Sequence, residues 1–325
     1  MKESFLLDSG TWSIGDKPDQ KDYLGLSYVL ENNTWSVEEE DVELVWAWAS
    51  RPNTPISRYS SIGCGTVNSS LSAGGMPADS FDPNEEAHTY NGTSWSPTAS
   101  ALTELYYHQG CGTGTDAIMI SGQDTARTEH YTGASWSTGG NTNSERKWGS
   151  ASGTADAAIV SGGKNMGFNF LGTTEHYNGV SWSPGGDQIT PRSYTAGCGT
   201  IDAAMNIAGF DASGFGGNDK KTDVVEHYNG ASWSAAGLFP ATAAYHSAVG
   251  TITSVLSFGV ASGGMYDPPD RTYVYDGVSW SQGPNMLHEV MGPGTSGTST
   301  SALSFEGTND YVATDDCEEY GFGVI

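Results

Sequence analysis

The stretch Thr222–Gly237, TDVVEHYNGASWSAAG, decides how the rest of the chain is read. Its core is an aromatic residue, a turn and a tryptophan: Tyr228-Asn229-Gly230-Ala231-Ser232-Trp233. The same unit stands at Tyr90–Trp95, Tyr131–Trp136, Tyr177–Trp182 and Tyr275–Trp280. Asn-Gly or Asp-Gly between two strand-like runs predicts a hairpin, because both residues tolerate positive φ. Each copy therefore reads as strand, tight turn, strand.

A second repeat is locked to the first. A Gly-Thr pair follows each of these tryptophans by 17 residues, at Gly112, Gly153, Gly199, Gly250 and Gly297. A sixth pair, Gly65-Thr66, has Trp35 upstream at a gap of 30. Successive tryptophans of the unit lie 41, 46, 51 and 47 residues apart. A period of this size predicts a propeller or solenoid array. An apolar strand follows each Gly-Thr turn, as in Ala157–Gly163 and Ala203–Gly209, which makes four strands per unit and six units.

The last unit stops short. Cys317-Glu318-Glu319-Tyr320 matches a third strand such as Thr174-Glu175-His176-Tyr177, but no tryptophan strand follows it. The N-terminal part has a tryptophan strand to spare, at Trp35 or Trp12. Pairing the two ends closes the ring and removes exposed sheet edges. The expected fold is all-β: a six-bladed β-propeller over 26–325, with 1–25 as an N-terminal extension or attachment segment. Ser36–Ala49 is the best helix candidate, although Val45-Trp46-Ala47-Trp48-Ala49 alternates like a strand.

Composition fits many short strands and turns: 44 Gly, 10 Trp, 16 Tyr and 10 Phe in 325 residues. A net charge of −25 argues against nucleic acid and anionic membranes, which call for clustered Lys and Arg. Three of the four cysteines, Cys64, Cys111 and Cys198, precede the Gly-Thr pair at positions related by rotation, so they read as small buried residues. No signal peptide and no membrane-spanning run is read, so the expected compartment is reducing.

These residues resemble the kelch repeat family. The resemblance rests on Pro191-Arg192 at the start of an inner strand, Gly162-Gly163 after the second, Tyr177 on the third and Trp182 on the fourth. Arg58 and Arg146 match Arg192, while Leu105, Ala243 and Val290 replace it. Gly74-Gly75 and Gly263-Gly264 match the glycine pair, and Gly122-Gln123 and Gly209-Phe210 depart from it. The texture of the hairpins is similar to kelch-like proteins of marine tailed bacteriophages. That likeness implies a virion component (tail fibre, tail or capsid appendage), made in the host cytoplasm and part of a symmetric assembly. Its partners would be other virion proteins or a host surface glycan.

No catalytic, cofactor-binding or metal-binding residues are assigned, and the chain reads as a structural or interaction module rather than an enzyme. The Gly-x-Ser-Trp ending is similar to the Asp-box of sialidase-type propellers, but tyrosine stands at the signature Asp position. His130, His176 and His227 repeat on third strands, where rotation separates them too far to share an ion. They are expected to serve packing between blades. The candidate binding residues are Phe168, Phe170, Phe210, Phe215 and Tyr266, in variable loops that ring symmetry puts on one face. Two readings stand for these loops: contact with a partner or glycan, or folding back on the propeller.

Overall fold

The computed structural model describes residues 26–31, 34–39, 44–78, 82–122, 125–213, 220–261, 269–309 and 312–324. The chain divides into two units, Trp46–Phe322 and Met1–Val45 with Gly323–Ile325. The larger unit is a six-bladed β-propeller of antiparallel four-stranded sheets. Blade III is representative, with strands Ser150–Gly153, Ala158–Ser161, Thr174–Tyr177 and Trp182–Pro184. The inner strands, Ile62–Thr66, Gln109–Gly112, Ser150–Gly153, Ala196–Thr200, Ser247–Thr251 and Gly294–Thr298, neighbour one another in a closed cycle.

The hairpin repeat forms as a four-residue loop rather than a two-residue turn, since Tyr177 pairs with Trp182 and Tyr90 with Trp95. Only the glycine takes positive φ, 88° at Gly179 and 90° at Gly92. The Asn acts through its side chain instead. Asn178 Oδ1 accepts from the backbone N–H of Val180 and Ser181, as Asn229 and Asp276 do in their blades. Asn and Asp are therefore interchangeable here because each closes an Asx-type turn.

Blade VI is assembled from both ends of the chain. Its inner three strands are Gly294–Thr298, Ser301–Phe305 and Cys317–Val324, and its outer strand is Leu44–Arg51. The ring thus closes as expected, but through neither of the two expected tryptophans. Trp35 pairs opposite Leu30 in a separate hairpin, Leu26–Glu31 with Thr34–Glu39, and Trp12 lies outside the described residues. The stretch weighed as a helix is strand over Leu44–Arg51. Trp48 takes the tryptophan position, and it also stands 17 residues before Gly65, the gap kept in every other unit.

The core lies between blades. Trp182 donates from Nε1 to Thr128 Oγ1 of the preceding blade, Trp233 likewise to Thr174, and Trp48 to Thr272. Ile118, Ile120 and Cys111 of blade II pack with Val160, Tyr177 and Trp182 of blade III. The cysteine slot is a tight contact: Cys64 donates to Thr113 O and Cys111 to Thr154 O, each across to the next blade. The histidines of the third strands also reach across, with His130 Nε2 at 2.7 Å from the Tyr177 hydroxyl.

The Arg positions are structural. Arg146 and Arg192 are fully buried and pair with Glu175 at 2.6 Å and Glu226 at 3.2 Å in their own blades. In blade I, His88 occupies the Glu position, and Arg58 pairs at 2.9 Å with Glu306 from blade VI. The glutamates have a second task. Glu175 accepts from the N–H groups of Asn143 and Ser144, Glu226 from Ile189 and Thr190, and Glu318 from Leu287 and His288. Each carboxylate thus fastens the linker that enters its blade, with or without an arginine.

The glycine pair sits one residue earlier than read in two blades. Strand registers put Ser121-Gly122 and Ala208-Gly209 at the positions that Gly162-Gly163 hold in blade III, and Gly259-Val260 fills the place in blade V. Gly263 and Gly264 lie outside the described residues. The backbone demand is uniform. The first residue of the pair has positive φ in all six blades: Gly74, Ser121, Gly162, Ala208, Gly259 and Glu306, between 52° and 72°.

Candidate functional site: the axial mouth

Five residues before the glycine of each Gly-Thr pair the chain enters the inner strand through another left-handed residue. These are Ser60, Tyr107, Trp148, Tyr194, Tyr245 and Gly292, with φ from 54° to 62°. Bulky side chains seldom accept this conformation, which costs about 1–3 kcal/mol each and persists only where the surroundings enforce it. Here backbone hydrogen bonds between blades enforce it: Trp148 N donates to Tyr107 O, Tyr194 N to Trp148 O and Gly292 N to Tyr245 O. Four consecutive blades, II to V, carry an aromatic ring at this place.

The rings form a continuous arc around the axis. Centroids are 4.9 Å apart for Tyr107–Trp148, 4.6 Å for Trp148–Tyr194 and 4.2 Å for Tyr194–Tyr245. Phe210 backs the arc at 5.9 Å from Tyr194 and 5.5 Å from Tyr245. The arc borders a cavity of about 530 Å³ at the mouth of the ring. On the opposite side blades VI and I carry Gly292 and Ser60 at this place, and the ring that lines the cavity there is Tyr59.

Polar groups lie beneath the rings. His108, Thr195 and His246 are buried and line the same cavity. Both ring nitrogens of His246 and the hydroxyl of Thr195 have no hydrogen-bond partner in the protein. Burial pushes His246 down to about 3, helped by the positive charges of Lys221 and Arg192, and pushes His108 down to about 4. Both imidazoles are therefore neutral at pH 7, each offering one donor and one acceptor. Burial also pushes the Tyr107 phenol up to about 12, so it keeps its proton and donates.

A second hollow of about 590 Å³ adjoins on the outer side, lined by Phe168, Phe170, Pro191 and Asp211 among others. Phe168 is 61% exposed, and its ring lies 6.2 Å from Trp148. The Lys147 ammonium sits over both rings, 4.5 Å from the Trp148 centroid and 4.0 Å from that of Phe168. Lys164 covers Phe170 at 4.2 Å.

Of the five residues singled out from the loops, the structure brings Phe168, Phe170 and Phe210 to this face. Phe215 and Tyr266 lie outside the described residues. Phe210 belongs to a strand, Ala203–Asp211, rather than to a loop. The arc itself went unread, although its signal is in the sequence: aromatic residues at a constant offset from four of the six Gly-Thr pairs. No protein-family model matches the chain, and comparison with curated proteins also finds no match.

Proposed function

We propose that the chain is a non-enzymatic binding module, a kelch-type propeller that holds a carbohydrate at its axial mouth. The observation that carries this reading is the arc Tyr107–Trp148–Tyr194–Tyr245. Sugars present flat C–H faces that stack on aromatic rings, and hydroxyls that need donors and acceptors beside them. The mouth supplies rings at its edge and the orphaned polar atoms of His246 and Thr195 inside. Apolar walls with a few convergent polar groups are the usual composition of a small-ligand site. The rigid ring places these groups before the ligand arrives, which lowers the cost of binding.

A glycan array tests the reading. The wild-type chain binds at least one class of glycan, and Tyr194→Ala abolishes that binding while melting at a similar temperature. A wild-type chain that captures no glycan overturns it. The likeness of the hairpins to phage kelch-like proteins supports placing this module on a virion, where the mouth would face a host surface. Mass spectrometry of purified particles tests that placement, and absence of the chain from particles rejects it.

A further inference from the structure

We infer that the axial mouth and the outer hollow are one cleft for an acidic oligosaccharide, whose carboxylate or sulfate is taken by Lys147. The inference rests on the carbohydrate reading above and names the class of sugar. The described lysines mark one part of the ring, whereas the six arginines are spread over all six blades. The chain carries a net charge of −25, yet every lysine among the described residues belongs to blades III and IV. Lys147 and Lys164 bridge to each other through their backbones at the start of blade III, and Lys220 and Lys221 pair with Asp211 and Phe210 in blade IV. All four lie at the end of the ring that holds the mouth.

Lys147 meets aromatic rings rather than a carboxylate. It is only 6% exposed, and among the described residues no carboxylate pairs with it. Its charge is met by two π faces, Trp148 and Phe168. The stem is buried while the ammonium lies against these rings, where an anion would add a charge-assisted partner to the cation–π contact. The position matters as much as the charge. Trp148 lines the mouth and Phe168 lines the hollow, so Lys147 stands at the junction of the two. A chain of two or more pyranose rings stacked first on the arc and then along Phe168 passes this ammonium. Its hydroxyls would reach the unpartnered nitrogens of His246 and the hydroxyl of Thr195. A nucleic acid carries the same anions, but the surrounding charge of the protein disfavours a long polyanion.

The test compares anionic tetramers with a neutral one. A galacturonic-acid tetramer, its methyl ester and a sulfated galactan tetramer are titrated into the full chain at low salt. The acid binds about tenfold tighter than its ester, a difference of ~1.4 kcal/mol, and the gap narrows as salt is raised. The sulfated tetramer shows whether the anion must be a carboxylate. Lys147→Met brings acid and ester to equal affinity, whereas Lys147→Arg keeps the preference and reports on folding. Equal binding of acid and ester by the wild type overturns the acidic-sugar inference but leaves the carbohydrate reading standing. Binding that survives Trp148→Ala and Tyr194→Ala together overturns both, because the sugar is then held elsewhere. No binding of any tetramer overturns this inference, and the glycan array then decides the wider reading.

Discussion

Trp48 packs on Tyr320 with ring centroids 5.4 Å apart, the relation that Tyr177 and Trp182 make within a single hairpin at 4.9 Å. In five blades this pair comes from neighbouring strands joined by a four-residue loop. In blade VI it comes from the two ends of the larger unit. The Nε1 hydrogen bond to a threonine of the preceding blade is kept as well, from Trp48 to Thr272 at 3.0 Å. The closing blade therefore uses the contacts of the others without their covalent link, so its pairing carries the full entropy cost of bringing distant segments together.

Two truncations test this closure. Removing residues 1–43 leaves all six blades with four strands, so cooperative melting is expected to persist with little change in midpoint. Removing residues 1–51 takes away the outer strand and exposes an edge, and the transition is expected to broaden and shift down. Trp48→Ala in the full chain should cost about 3–5 kcal/mol, as for other buried tryptophans. If the shorter truncation alone abolishes the transition, the ring depends on residues before Leu44.

The ion pairs make an ordered prediction. Blade II keeps Glu129 but has Leu105 in the arginine position, with Leu102 N–H donating to Glu129. The glutamate alone therefore suffices to hold a linker. Arg146→Leu in blade III is expected to cost less than Glu175→Ala. The second change strands a buried guanidinium and unfastens the N–H groups of Asn143 and Ser144, and loss of one partner of a buried pair costs about 3–5 kcal/mol. Denaturant midpoints of the two variants decide it. The reverse order would mean that the arginine, with its bonds to Gly162 O and Thr173 O, is the main fastening.

What could be read beforehand divides along local and non-local lines. The hairpins were legible because Asn178-Gly179 and its copies act within four residues. The number of blades was legible from the Gly-Thr period. The closing strand was not, because Asn32-Asn33-Thr34-Trp35 has the local look of the hairpin, whereas Trp48 shows itself only by its distance to Gly65. The mouth was hidden for a different reason. Nothing in the preferences of Tyr107, Trp148, Tyr194 or Tyr245 favours left-handed backbone. That conformation is imposed by hydrogen bonds to residues of the adjoining blade. The loop phenylalanines Phe168 and Phe170 lie at the same end of the ring as the mouth, because the second strand and the inner strand of each blade meet there. The rings that line the cavity look, in sequence, like ordinary core residues.

The cysteines give a chemical test of the packing. All four are buried and free, and burial raises the thiols of Cys64, Cys198 and Cys317 to about 12 and Cys111 in the same direction. Thiolate, the reactive form, is scarce at pH 8, and access is closed. Native protein should therefore release almost no colour with a disulfide thiol reagent within minutes, and four equivalents after unfolding in guanidinium. Fast reaction of one thiol in the native chain would show that a blade interface opens at Cys64, Cys111 or Cys198, or at the closing blade for Cys317.

Acid should weaken the ring, and His88, also pushed down to about 4 by burial, joins the two histidines under the mouth in setting the range. His108 and His246 have values near 4 and near 3 in the folded chain, against about 6.5 when unfolded. The unfolded chain binds the proton more readily, so stability rises with pH wherever the two states differ. The contribution is complete above about pH 6.5, falls as the pH drops below it, and is lost by the time pH passes the folded values near 4 and 3. Urea midpoints measured at pH 7 and pH 4.5 should therefore separate clearly for the wild type. His246→Met, which cannot take up the proton and keeps an apolar contact with Phe239, should show a smaller separation. Equal losses in the two chains would mean that His246 gains a partner on protonation, and that its buried nitrogens are not held neutral by the mouth.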